Sequence, residues 1–157
     1  MTPHVGEAGP NDARAMALLL AAVAEERDGI ATEPPVDVEA QTDRFARSVD
    51  YTRVAVVGAE LIGMMQVEPS SFGFGYLVMA VAKPWRGRGV GSALVAAAIE
   101  RAPAWGLHKL SLDVFPHNEA AIALYRKFGF VPEGRRVKHY RRASGELWDA
   151  IVMGRLL

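Results

Sequence analysis

The sequence predicts an α/β fold built on a mixed, mostly antiparallel sheet flanked by helices. Three observations carry that reading. Strand and helix signals follow one another in the order strand, two helices, three strands, helix, strand, helix, two strands. The strand signals at 72–82 and 109–115 are joined through a helix, so those two strands run parallel with a right-handed crossover. The chain has 157 residues, half of them hydrophobic. That suits a single domain, residues 1–157, with a real core.

Residues 4 to 8 fit a short first strand. Asn11 and Asp12 then mark a helix start, followed by AMALLLAAVAEER, rich in strong helix formers. Ala15, Leu18, Leu19, Ala22 and Val23 fall at helical spacing and are the expected buried stripe. Gly29 and the pair Pro34-Pro35 end this helix. A second helix is expected over Val38 to Arg47, with Phe45 facing inward.

Thr52 to Val57 is β-branched, and Gly58-Ala59-Glu60 turns the chain back into Leu61 to Val67, so 52–67 reads as a hairpin. Phe72 to Ala82 gives another strand. KPWRGRGVGS follows at 83–92, then a helix from about Gly89 to Ala102. In Lys109 to Phe115, Leu110, Leu112 and Val114 alternate with Ser111 and Asp113, as in a strand. Asn118 caps a helix in which Ala121, Leu124, Tyr125 and Phe128 share a face, and Gly129 ends it. Phe130 to Tyr140 and Leu147 to Leu156 form two final strands around Ser144-Gly145-Glu146.

Formal net charge is zero, so nothing global points to nucleic acid or an anionic membrane as a partner. Arg135, Arg136, Lys138, Arg141 and Arg142 form a local basic cluster without an aromatic stacking platform, and read as solvated strand and turn residues. There is no cysteine, which excludes disulfides, thiolate zinc sites and cysteine nucleophiles. The first residues lack a basic region followed by an apolar one. The longest apolar run falls far short of the roughly 20 residues of a membrane helix. A soluble, cytoplasmic protein is expected. No His, Asp or Glu set shows metal-ligand spacing, so no metal is expected.

The glycine loop is the strongest chemical signal. A glycine-rich loop opening a helix is an anion site, because unpaired N–H groups and the helix dipole point the same way. It is not a nucleotide-triphosphatase loop, which needs four residues between its glycines and a Gly-Lys-Ser/Thr end. It is not a dinucleotide fingerprint either, since counting from Gly87 through Gly89 meets Ser92 where the third glycine belongs. What remains is R-x-x-G-x-G at Arg86, Gly89 and Gly91. A second block, LDVFPHNEAAIALYRKFGF at 112–130, accompanies it.

The pair resembles the GNAT superfamily of acyl-coenzyme A dependent N-acetyltransferases. VAKPWRGRGVGSAL matches the family's pyrophosphate-binding block, and N-x-x-A-x-x-L-Y-x-K-x-G-F is present from Asn118 to Phe130. The likeness covers roughly residues 52 to 156. It implies acetyl-CoA as co-substrate, with Arg86, Gly87, Arg88, Gly89, Val90, Gly91 and Ser92 lining the pyrophosphate site. Glycine at 89 and 91 is expected because a side chain there would push the phosphates away. The pantetheine arm is peptide-like and pairs with a strand edge; Val81 is its expected partner, with Met79 and Ala82 beside it. That requires the parallel pair to splay apart and leave a slot.

The implied reaction is attack of a neutral amine on the thioester through a tetrahedral intermediate. On spacing alone Tyr125 is one more core residue; the resemblance implies that it is the acid protonating the leaving thiolate. Asn118 is a helix cap whose second role, a hydrogen bond to the pantetheine arm, is likewise implied. Many members of the family place a glutamate on the strand before the loop, and FGFGYLVMAVA has none. The base therefore stays open between Glu68, Glu26, Asp28 and a water relay. The expected acceptor is the primary amine of a small molecule or amino acid. A protein N-terminus, as in a ribosomal-protein acetyltransferase, is the alternative; a non-catalytic acyl-CoA-binding regulatory module is another. Exposed terminal strand edges leave room for a homodimer.

Overall fold

A computed structural model describes residues 2–157. Seven strands form one sheet: β1 (His4–Glu7), β2 (Thr52–Val57), β3 (Glu60–Pro69), β4 (Phe74–Val81), β5 (Lys109–Val114), β6 (Val131–Arg141) and β7 (Leu147–Leu156). Their spatial order is β1-β2-β3-β4-β5-β7-β6. Every neighbouring pair is antiparallel except β4–β5, which is parallel. Four helices flank the sheet: α1 (Ala13–Ala24), α2 (Val38–Ala46), α3 (Val90–Arg101) and α4 (Glu119–Lys127). The predicted element order holds throughout.

Two cores form, one on each face. Val90, Leu94, Val95 and Ala98 of α3 bury against Ile62, Met65, Val67 and Leu77 of the sheet, with Leu110, Leu112 and Tyr125 completing the layer. These α3 residues fall at i, i+4, i+5 and i+8, one apolar stripe of an α-helix. On the opposite face Met16, Ala17, Leu19 and Val23 of α1 and Phe45 of α2 pack on Val54, Met64 and Ala80. Truncating a side chain such as Leu94, fully buried, costs about 2–5 kcal/mol.

The buried stripe of α1 differs from the expected one. Leu19 and Val23 point inward, but Leu18 is 48% exposed, and Ala13, Met16, Ala17 and Ala24 complete the face. ARAMALLLAAVA is apolar nearly all round, so spacing alone does not select which residues meet the sheet. Arg142 also departs from expectation. It is 4% exposed, with its guanidinium carbon 4.3 Å from the ring centroid of Trp148 and 5.2 Å from that of Phe115. The aromatic rings and the carbonyl of Ala31, 3.0 Å from Nη1, replace the water that the sequence reading assigned to it.

Candidate active site

β4 and β5 touch along only three rungs, Phe74–Lys109, Gly75–Leu110 and Tyr76–Ser111. Past that point each strand follows its antiparallel neighbour. β4 stays with β3 as far as Gly63–Val81, and β5 stays with β7 as far as Val114–Ile151. The parallel pair is therefore splayed, as the sequence reading required. The N–H of Ala82 donates to Ile62 O at 2.8 Å, so by strand alternation Ala80 also faces β3. Met79 and Val81 turn their backbone groups toward the gap.

A single 3-10 turn over Lys83–Trp85 carries the chain out of β4. Gly87 and Gly89 then adopt φ of 72° and 86°, the left-handed region where an L side chain is strained. A Cβ on either would meet nothing within 4 Å, so the space beside them is open. Gly89 caps α3. The first helical bond runs from Ala93 N to Gly89 O at 3.0 Å, which leaves the amides of Val90, Gly91 and Ser92 at the helix mouth. Val90 turns its side chain into the core and is 3% exposed, so it offers backbone only. Gly91 also sits in close packing: a Cβ there would stand 3.0 Å from Leu124 Cδ2 and 3.5 Å from Met79 Cε, so α4 crowds any side chain at this position. Arg88 lies over Trp85, 5.1 Å from the ring centroid.

Arg86 donates through all three guanidinium nitrogens. Its Nε donates to Val81 O at 2.9 Å, and its Nη1 and Nη2 donate to the two carboxylate oxygens of Glu26 at 2.6 and 2.8 Å. That bidentate contact holds the Glu26 carboxyl below the ordinary range.

Across the gap, Asn118 caps α4 by accepting from the N–H of Ala121 at 3.2 Å. Tyr125 is 7% exposed in the core that also contains Leu112 and Val114, with Met79 and Val81 packed at its margin. Its ring stands edge-on to Phe130, 5.6 Å between centroids. Burial pushes its phenol up to about 12, so at neutral pH it holds its proton.

The other face of the gap holds residues that sequence reasoning missed. Asp113 shares a face of β5 with Ser111, the partner of Tyr76. Its Oδ2 accepts from Tyr140 Oη at 2.9 Å and Arg136 Nε at 3.1 Å. Its Oδ1 is buried and has no partner among the described residues. Tyr76 adjoins the same group, and burial, then the Asp113 carboxylate and Tyr140, raise its pKa. The lone acid among the outward positions of KLSLDV was the available signal. Of the three carboxylates considered as bases, Glu26 is bound to Arg86, Asp28 lies 3.0 Å from His117 Nε2, and Glu68 stands 4.0 Å from Arg44 with both side chains largely exposed.

The family model "Acetyltransferase (GNAT) family" matches residues 18–130. An L-amino acid N-acetyltransferase of Escherichia coli (strain K12) is 32% identical over 108 residues, 66% of this chain and 66% of that protein. Matches to two further curated relatives, from Arabidopsis thaliana and Bacillus subtilis (strain 168), span 35% and 48% of their lengths. The structure of ribosomal-protein-alanine N-acetyltransferase from Brucella melitensis superposes with a TM-score of 0.88 at 25% identity, over 98% of this chain and 99% of that one. A phosphinothricin acetyltransferase from Sinorhizobium meliloti, solved in complex with acetyl-CoA, has the same fold at a TM-score of 0.86, 21% identity and 100% and 89% coverage.

Proposed function

Because this chain belongs to the acetyltransferase (GNAT) family, we propose that it transfers an acetyl group from acetyl-CoA to a primary amine of a small molecule or amino acid. The observation that carries this is the parallel pair open beyond Tyr76–Ser111, with an amide-rich loop at its wide end. The space beside Gly87 and Gly89 and the free amides of Val90, Gly91 and Ser92 suit a diphosphate. Gly87, Arg88 and Gly89 complete that loop, and Ala82 opens it. Met79 offers gap-facing backbone for the pantetheine arm beside Val81, whose carbonyl Arg86 holds, and Asn118 stands on the opposite lip.

The amine nitrogen attacks the thioester carbon. The N–H of Val81 faces the developing oxyanion. As the C–S bond breaks, the Tyr125 phenol gives its proton to the sulfur. The proton lost by the amine passes to water and on to Asp113, whose buried Oδ1 has no partner among the described residues.

The L-amino acid enzyme among the relatives favours a free amino acid, and the ribosomal-protein-alanine enzyme favours a peptide N-terminus as second choice. Thiol release from acetyl-CoA, measured against free amino acids, simple amines and an Ala-initiated peptide, tests the reading. Turnover by the wild type, reduced about 10²-fold or more in Tyr125→Phe, is expected. Tight CoA binding with zero release in both proteins across the panel overturns it in favour of a non-catalytic binding module.

A further inference from the structure

The segment from Glu25 to Glu33, between α1 and α2, is tied to both lips of the gap. Glu26 grips Arg86, just past β4, at 2.6 and 2.8 Å. Asp28 meets His117, just past β5, through Oδ1 at 3.0 Å and through its carbonyl at 3.1 Å. Arg27, between them, has φ of 55°, a strained turn that lets its neighbours reach opposite ways. Further on, Ala31 O accepts from Arg142 at 3.0 Å and Glu33 Oε2 accepts from Ala143 N at 2.6 Å. This strap therefore bridges the chain just past the two strands that part.

Arg86 is the element that joins strap to slot. All three of its guanidinium nitrogens are used, two on Glu26 and one on the carbonyl of Val81. Val81 is the residue whose backbone faces the gap. We propose that Arg86 is a positioning residue: its guanidinium locks the acceptor-side strap to the strand that receives the thioester arm, and the phosphates are held by the loop's amides instead. With three of its five N–H donors committed to a carboxylate and a carbonyl, the orientation of the fork is set by the strap and β4 rather than by a diphosphate. The strap and the slot then move as one body, so the Glu26–Arg86 pair sets where the amine sits relative to the thioester carbon. This inference rests on the acetyltransferase reading above.

The test compares Glu26→Gln and Arg86→Lys. Both side chains reach solvent, so both variants fold, which thermal unfolding checks. Three readouts are taken: amide hydrogen exchange over residues 25–33, CoA affinity by calorimetry, and steady-state kinetics with the best amine of the panel. Both variants are expected to raise strap exchange about tenfold. CoA affinity stays within about threefold, and KM for the amine rises at least about fivefold while kcat holds within about twofold. Unchanged strap exchange overturns the proposal. So does a tenfold loss of CoA affinity in Arg86→Lys with none in Glu26→Gln, which would put the guanidinium on the phosphates. If the wild type turns over no amine, the transferase reading fails, and the exchange and affinity measurements still decide the role of Arg86.

Discussion

Tyr76 and Ser111 form the last rung joining β4 to β5, and the candidate site begins where that rung ends. Below it the two strands are ordinary parallel neighbours. Above it each is held only by its antiparallel partner, so the sheet is continuous at one end and forked at the other. The fork leaves the backbone of Met79 and the N–H of Val81 without a strand partner on one side, while Arg86 takes Val81 O, so a peptide-like ligand can pair there.

This alternation predicts a pattern of amide exchange. Ala82 is bonded to Ile62 and Ala80 shares its orientation, so both amides are expected to be protected in the free protein. Met79 and Val81 amides exchange quickly when free and gain at least about tenfold protection with saturating CoA. Equal protection of all four without CoA would show that the fork closes in solution.

The loop makes a second prediction. Gly89 has φ of 86° and open space beside it, so Gly89→Glu strains the backbone by about 1–2 kcal/mol and sets a carboxylate where a diphosphate belongs. A folded protein with CoA affinity reduced at least about a hundredfold in calorimetry is expected. Unchanged affinity in the folded variant would remove the loop from the donor site.

Much of this was legible in the residues. The parallel crossover followed from two strands joined through a helix, and the caps at Asn118 and Gly129 from local chemistry. What was not legible depends on distant partners. Glu26 meets Arg86 across 60 positions, and nothing in either residue's neighbourhood announces it. Arg142 looked solvated because its flanking residues are basic; Trp148 and Phe115, which bury it, come from other turns of the chain. The stripe of α1 was ambiguous because alanine and leucine surround that helix. At Gly91 the crowding by Leu124, on a helix whose position only the fold provides, was likewise not legible.

The buried phenols predict alkaline instability. Burial lifts Tyr125 to about 12 and also raises Tyr76 and Tyr140, with Asp113 contributing to both of the latter. These groups keep their protons when folded and release them near the ordinary value of about 10 when unfolded. Stability is therefore fully present below about pH 10 and declines as pH rises above it. Tyr125 alone accounts for about 2–3 kcal/mol across two units. Urea unfolding as a function of pH is expected to show this decline, and Tyr125→Phe to flatten it. An unaltered slope in that variant would mean that its phenol is solvated.

Asp113 gives the sharpest separation of donor from acceptor. Its carboxylate holds Tyr140 and Arg136 with one oxygen and nothing with the other. Asp113→Asn keeps the shape and an oxygen for Tyr140 but removes the charge that would attract an ammonium and take its proton. Arg136, whose side chain is 44% exposed, is then rehydrated, so the loss of stability should stay near about 1 kcal/mol or less. CoA affinity is expected to hold, because the donor loop lies beyond the other strand of the fork. The amine KM rises at least about tenfold, and the rate shifts toward higher pH, where more of the free amine is already neutral. If instead the variant lost several kcal/mol of stability with amine kinetics intact, Asp113 would be a sheet-bracing residue, and the amine's proton would leave through water alone.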